Sequence, residues 1–264
     1  MKPVVYMRSS LAEQEELYCA KKYFEVVEQR THIKPNTLVI PRYSALPFYK
    51  ELEDDVNYLG SKLINSYTMH NYVANIRNWY YDLADHTPRT WFYLDQIRDE
   101  DGPFVLKGCT NSKKHQWNSL MFAADKRSAT DVYCRLSADS MIGVQDIVVR
   151  KYMPLHKLMD GFNGLPMSEE YRFFVLNKKV IAKGFYWQNI WDDLEVKPDV
   201  NSVPEEFINK ILGIIDNKVN FYVVDVAKTA NGDWVVVELN DGQQSGLSMI
   251  DPEEFYFNLN KEFM

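Results

Sequence analysis

The stretch from Phe221 to Asn240, FYVVDVAKTANGDWVVVELN, limits the possible folds more than any other part of the chain. Two apolar, valine-rich runs flank Asn231-Gly232. Such runs around this dipeptide read as an antiparallel hairpin with a two-residue type I′ turn, because both turn positions take positive φ. A hairpin centred there sets Asp225 directly opposite Glu238. The two-residue side-chain period then puts Asn240 on the same face as Glu238. Like charges directly opposite destabilise a sheet by roughly 0.2–1 kcal/mol. A divalent cation reverses that sign, and magnesium takes oxygen donors of this kind together with substrate phosphates. The alternative is an acidic, solvent-facing sheet surface. The valines on either side argue against it, as does the following loop, DGQQSGLS, with glycines where a ligand can come close.

The rest of the chain reads as two parts. Residues 1–95 predict a small α/β unit: a strand over 3–7, a helix over 11–30, a strand over 37–44, and helices over 48–59 and 70–84, the last stopped by Pro88. No G-x-G-x-x-G follows the first strand, so this is not a dinucleotide-binding unit. Residues 96–264 predict strands over 103–108 and 146–153 and a loop over 159–166. A hairpin over 170–187 turns near Asn177 and Lys178, and a helix over 204–215 precedes the last hairpin. The fold class is therefore mixed α/β (α+β) with prominent antiparallel pairs.

Composition narrows the function. At 46% hydrophobic the chain of 264 residues can bury a substantial core, and a formal net charge of -7 argues against a nucleic-acid partner. The three cysteines are widely spaced and the five histidines form no ligand-spaced pair, so neither a disulfide framework nor a zinc site follows, and a reducing cytoplasm is the expected compartment. No apolar run is long enough for a membrane span, and MKPVVYMRSS does not read as a signal peptide.

The pattern of Asp225 followed by a short turn and GDWVVVELNDG resembles the end of an ATP-grasp domain, in which an Asp and a Glu-x-Asn hold magnesium on the nucleotide phosphates. The resemblance covers roughly residues 91–250 and is most specific at its C-terminal end. Within that superfamily the chain is most similar to the phage- and bacteria-borne branch named for two arginines and a lysine, thought to be peptide or amide ligases. The stretch PRYSALPFYKELEDDVNYLGSKLINS is similar to the N-terminal unit of that branch, the pre-ATP-grasp unit.

The resemblance implies roles for particular residues. Asp225, Glu238 and Asn240 are the implied Mg2+ ligands. Lys107, at the end of FVLKG, matches a phosphate-contacting lysine, and GCTNSKK offers Thr110, Lys113 and Lys114 as a phosphate cradle, with less glycine than the family usually has. VVRKYM matches the strand that reads adenine through its backbone, at Arg150, Lys151 and Met153; the family often has glutamate where this chain has Lys151. Glu170 matches a ribose-binding position. Arg172, two residues on, and Lys183, on the returning strand, are implied to reach the phosphates or an acyl-phosphate. Arg42, with Arg8, suits the carboxylate of the acceptor substrate.

A nucleotidyltransferase of the K-x-D-G type is excluded, because Lys107 is followed by GCT. A metal-free binding module is disfavoured, since all three implied ligands are present. No Ser-His or Cys-His arrangement offers a nucleophile. The resemblance thus implies an ATP-dependent carboxylate–amine ligase with ATP and Mg2+, working through an acyl-phosphate on a small-molecule or peptide acid and an amine. A phosphotransferase on the same fold, or a catalytically inactive nucleotide-binding module, remains the alternative.

Overall fold

The computed structural model describes residues 3–42 and 48–264. Its first sheet is wholly parallel. The buried strand β1 (Pro3–Met7) leads through helix α1 (Gln14–Tyr23) to β2 (Glu25–Val27), and on to β3 (Leu38–Arg42), helix α2 (Tyr49–Tyr58) and β4 (Lys62–Leu63), in the order β2-β1-β3-β4. The helix expected over 11–30 is thus shorter. Its last turn is replaced by a strand because Val26 and Val27 pair with Val5 and Tyr6, and Val27 is buried beside Val4 and Tyr6. β-branched residues favour that pleated position over a helix end. The strand expected over 37–44 runs to Arg42; residues 43 and 44 lie outside the described residues.

Two short helices, α3 (Tyr67–Ala74) and α4 (Ile76–Trp79), replace the single helix expected over 70–84. Asn75 separates them and caps the second, its side chain accepting from Arg77 N at 3.0 Å. A second, antiparallel sheet follows: β5 (Thr90–Trp91), β6 (Phe104–Gly108), β7 (Phe122–Ala123) and β8 (Ile147–Lys151), in the order β5-β8-β6-β7. The short helix α5 (Trp117–Leu120) precedes β7, and α6 (Lys126–Ser137) packs Ala129, Val132 and Leu136 against Phe104, Leu106 and Val149. Thr90 and Trp91 pair with β8, and Val73, Ile76 and Trp79 belong to the core beneath the third sheet.

Part of the loop expected over 159–166 is a small hairpin, β9 (Lys157–Asp160) with β10 (Pro166–Ser168). The third sheet contains β11 (Glu170–Leu176), β12 (Lys179–Phe185), β13 (Phe221–Lys228) and β14 (Trp234–Asp241), in the order β12-β11-β13-β14 and antiparallel throughout. Asn177 (φ 47°) and Lys178 (φ 70°) make the expected turn between β11 and β12. One face of this sheet, through Tyr171, Phe173, Val224 and Val226, packs on helix α7 (Glu205–Ile215) by Ile208, Ile211 and Ile215. The other face meets the first sheet. Phe174, Phe221 and Val223 share a core with Val5, Met7 and Ile40 and with Phe255 and Leu259 of the last helix, α8 (Pro252–Lys261). No helix among the described residues is long and apolar enough to cross a membrane.

Candidate active site

The β13–β14 hairpin places the acidic residues as expected, by a different route. Gly232 has positive φ (93°) and Asn231 does not. Thr229 N donates to Asp233 O at 2.7 Å and Gly232 N to Thr229 O at 3.0 Å, so the loop has three residues and ends on glycine. That slips the register by one beside the turn, where Val226 pairs with Val236. A bulge between Asp225 and Val226 restores it, and Asp225 lies opposite Glu238. Val237 is the extra residue. Its carbonyl accepts from Arg150 Nη1 at 2.8 Å, tying the second sheet to the third. The bulge therefore re-aims the backbone where the two sheets meet.

Both carboxylates are held by cations. Arg172 lies opposite Asp225 across β11 and β13 and grips it with two bonds, Nε to Oδ1 at 2.9 Å and Nη2 to Oδ2 at 2.8 Å. Asp225 is completely buried, and its field raises the Arg172 pKa against the opposing effect of burial. Asn240 Nδ2 lies 3.3 Å from Asp225 Oδ2. Lys107, at the end of β6, donates to Glu238 across the cleft between the sheets. Burial alone would raise the Glu238 pKa, but Lys107, Lys114 and Arg150 outweigh it and hold the carboxyl down at about 2. Asp225, Glu238 and Asn240 supply hard oxygen donors of the kind magnesium takes beside phosphates. Lys107 and Arg172 balance the charge of the two carboxylates.

A cleft opens between the second and third sheets. Its floor carries Lys107, Arg150, Glu170 and Glu238, and its walls are apolar, with Trp117, Met121, Leu165 and Val235. Lys151 and Met153 line it as expected. The Lys151 ammonium is committed to the Asp101 and Gly102 carbonyls at 2.5 and 2.6 Å. Arg150 also donates to Thr87 Oγ1 at 2.7 Å, and burial lowers its pKa to about 10. Glu170 is almost fully buried. Among the described residues its Oε1 has no hydrogen-bond partner and lies 3.9 Å from Lys114 Nζ, and burial raises its pKa to about 7. Lys114 donates to Tyr186 Oη at 3.0 Å and lies over the rings of Tyr186 and Trp187.

Other expected residues do not converge here. Of the 108–114 loop, Ser112 and Lys114 reach the cleft. Thr110 instead bonds Gln145 Oε1 through its N (2.8 Å) and Oγ1 (3.0 Å). Lys113 pairs with Asp139 at 2.8 Å and holds that carboxyl down at about 2. Lys183 lies opposite Phe173, so it emerges on the face away from Arg172, exposed and bonded to Asn201 Oδ1 at 2.8 Å. A bulge between Phe174 and Val175 sets this register, which the sequence period could not reveal. Arg42 does not line this cleft. It is buried against Glu16 at 2.8 Å, donates to the Gly242 carbonyl and stacks near Phe174 and Phe255. An internal carboxylate thus takes the place expected for the acceptor's. Arg8 is partly buried and lines neither large cavity.

A second, wider groove adjoins the cleft and was not foreseen. Trp187 lines both. One side of the groove is the segment after β12, Tyr186–Asn189; the other is the loop after β14, Gly246–Pro252; Glu13 and Glu15 stand at its mouth, and Arg172 is at its inner end. The two sides meet closely at Gly184, where a Cβ would lie 2.8 Å from Ile250 Cγ1. The only sequence cues were the aromatic end of the 170–187 hairpin and the glycine in DGQQSGLS.

Comparison with known proteins fits this geometry. Residues 94–259 match the family profile described as ATP-grasp domain, R2K clade family 3. No curated protein matches the chain in sequence. Among solved structures, the RimK domain protein ATP-grasp from Sphaerobacter thermophilus superposes with a TM-score of 0.58 at 16% identity, covering 96% of this chain and 98% of that one. The ATP-grasp ligase PsnB, complexed with a phosphomimetic variant of its minimal precursor, Mg and ADP, gives 0.61 at 11% identity, covering 100% and 99%. The D-cycloserine synthetase DcsG gives 0.58 at 11% identity, covering 99% and 100%. At these identities the likeness is one of fold. The profile match spans more than half of the chain, and the chain belongs to the ATP-grasp family, R2K clade family 3.

Proposed function

We propose that this protein is an ATP-dependent carboxylate–amine ligase. The observation that carries the reading is the convergence of Asp225, Glu238 and Asn240 with Lys107 and Arg172 where the cleft meets the groove. The cleft would take ATP, with Met153 and the apolar walls holding its base and Glu170 facing its ribose. Asp225, Glu238 and Asn240 would hold magnesium, which neutralises phosphate charge when bound.

A substrate carboxylate in the groove attacks the γ-phosphorus. The bond from that phosphorus to the bridging oxygen breaks, and ADP leaves. Lys107 and Arg172 stabilise the charge that builds on the transferring group. An amine then attacks the acyl carbon. The C–N bond forms, the bond to the phosphate oxygen breaks, and phosphate leaves as the amine gives up its proton. PsnB, a ligase bound to a precursor peptide in its solved complexes, favours a peptide among the possible substrates. A kinase would share every step up to the transfer and differ only in the acceptor group.

The test is incubation with Mg-ATP and a pool of amino acids and peptides, read by mass spectrometry, with hydroxylamine present in a parallel reaction. A condensed product and a hydroxamate of the acid are expected. A stable phosphorylated alcohol would make the protein a kinase instead.

A further inference from the structure

We infer that the indole N–H of Trp187, with the ammonium of Lys114 beside its ring, forms a subsite for an anionic oxygen in the wall between the cleft and the groove. That oxygen belongs to the substrate carboxylate or to the transferring phosphoryl group. The role in a reaction rests on the ligase reading, but occupation by an anion is measurable without turnover.

Among the described residues Trp187 is the one that lines both cavities. Its backbone is well fixed. Tyr186 N donates to Glu170 O at 2.9 Å and Met249 N to Phe185 O at 3.1 Å. The segment after β12 is thereby held to the strand that carries Glu170 and Arg172 and to the loop after β14. The Tyr186 and Trp187 rings meet edge to face, with 4.8 Å between centroids. Trp187 is more than nine-tenths buried. An indole N–H can donate but not accept, and a buried one normally finds an acceptor. That of Trp187 has none among the described residues. A donor left open in the wall of two cavities calls for an acceptor that a ligand brings.

The charges nearby favour an anion. Lys107 is matched by Glu238 and Arg172 by Asp225. Arg150 and Lys114 are bonded instead to neutral oxygens, Arg150 to Val237 O and Thr87 Oγ1, and Lys114 to Tyr186 Oη at 3.0 Å. The carboxylate paired with Lys114 is Glu170, 3.9 Å away and kept protonated by burial up to about pH 7. The Lys114 ammonium thus has charge to spare, 5.0 Å from the centre of the Trp187 ring. Glu13, Glu15 and Asp251 also line the groove, but they are exposed and screened by solvent. A carboxylate with one oxygen held by Trp187 and Lys114 keeps its other oxygen free to attack phosphorus. A donor fixed in place beforehand also stabilises charge that develops during transfer.

The test follows the indole N–H signals of the 15N-labelled full chain by two-dimensional NMR, below pH 7 so that Glu170 keeps its proton. Of the six tryptophans, Trp187 is identified by the signal lost in Trp187→Phe, which keeps a ring for Lys114, or by triple-resonance assignment of the wild type if that variant does not fold. Sodium acetate, Mg-AMPPNP and the two together are titrated, with sodium chloride at matched ionic strength as the control. The Trp187 proton should move downfield, well beyond the other five indole signals. A shift with acetate identifies the carboxylate as the occupant, and a shift with Mg-AMPPNP identifies the phosphoryl group. Lys114→Met should weaken the titration midpoint by about tenfold or more, as loss of a charge-assisted contact does. A Trp187 signal that stays in place in all three titrations, or moves equally with sodium chloride, overturns the subsite. A midpoint unchanged in Lys114→Met does so too. The two readings fail separately: a condensed product without the shift keeps the ligase and removes the subsite, and a shift without a condensed product does the reverse.

Discussion

One face of the third sheet changes character halfway along its strands. At one end Leu176, Phe174, Phe221 and Val223 pack into an apolar core with Val5, Ile40 and Phe255. Two residues further on, the same strands present Glu170, Arg172 and Asp225, equally buried. Strand geometry is the same at both ends; what differs is how each end is stabilised. The apolar end gains from area removed from water. At the polar end, Arg172 and Asp225 are tolerated because each is bonded to the other, and removing one partner costs far more than the pair contributes, while burial keeps the proton on Glu170. The apolar end thus serves as the rigid frame and the polar end as the part where charges can be exchanged for those of a substrate.

Truncation of the frame should cost the most. Phe174 is fully buried, with Phe255 at 4.9 Å and Phe221 at 6.0 Å between ring centroids, and the Arg42 guanidinium 5.7 Å from its ring. Phe174→Ala should lower stability by about 3–5 kcal/mol. Urea denaturation followed by fluorescence checks this. Nucleotide affinity of the remaining folded protein should stay within about threefold; a loss of nucleotide binding as large as the stability loss would show that the two ends are not separable.

At the polar end the largest effect falls on rate. Glu238→Gln should reduce Mg-ATP turnover on the order of a hundredfold or more, about 2.7 kcal/mol. The structure also reverses a simple expectation from the sequence. Opposed carboxylates alone would make the glutamine variant no less stable without metal. Lys107, 6% exposed and bonded to Glu238, instead loses its counter-charge beside Arg150 and Lys114, so about 1–3 kcal/mol of stability should go with it. The double variant Lys107→Met/Glu238→Gln should regain most of that stability and remain inactive. Thermal unfolding of the three proteins without metal decides it, and a single variant as stable as wild type would mean that the pair contributes nothing.

The contrast also explains what could be read from the sequence. Local patterns gave the Asn177-Lys178 turn, the α7 helix and the Asp225–Glu238 pairing, because turn chemistry and period act over a few residues. They gave the last of these by compensation, the three-residue turn being offset by the Val237 bulge. Arg42 and Lys183 were misplaced for reasons no local pattern carries. The partner of Arg42, Glu16, lies on a different element, and the face of Lys183 is set by a bulge. Thr110 and Lys113 turn to Gln145 and Asp139, both distant in sequence. The groove has no local signature in the sequence, because its walls come from three distant segments.

A pH experiment probes the polar end without removing a bonded partner. Burial holds Glu170 protonated up to about pH 7, against 4.5 for an ordinary glutamate. Between those values the folded protein keeps a proton that the unfolded chain has released, so stability falls as pH rises through the window and levels off above it. The decline should reach up to about 3 kcal/mol. Glu170→Gln should flatten this part of the profile and leave stability near pH 4 little changed. Denaturation curves from pH 4 to 8 measure it, and an identical slope in the variant would remove Glu170 as the cause.

The smallest effect concerns the face that neither end uses. Lys183 was expected to reach the phosphates, but its strand partner is Phe173, on the side of the sheet away from Arg172 and Asp225. Among the described residues its ammonium bonds an exposed asparagine, Asn201, at 2.8 Å. An exposed polar contact of this kind contributes little, because water replaces it at almost no cost. Lys183→Met should therefore change stability by no more than about 0.5 kcal/mol and leave nucleotide affinity within twofold. The comparison with Arg172→Met sharpens the point. That variant leaves Asp225 buried without its two bonds and should lose both stability and turnover. Parallel calorimetric titrations of AMPPNP with Mg2+ into the two variants make the measurement. If Lys183→Met weakened binding as much as Arg172→Met, the chain would have to bring both faces of the sheet to one ligand. A bulge that slips only at residues 174–175 gives no means of doing so.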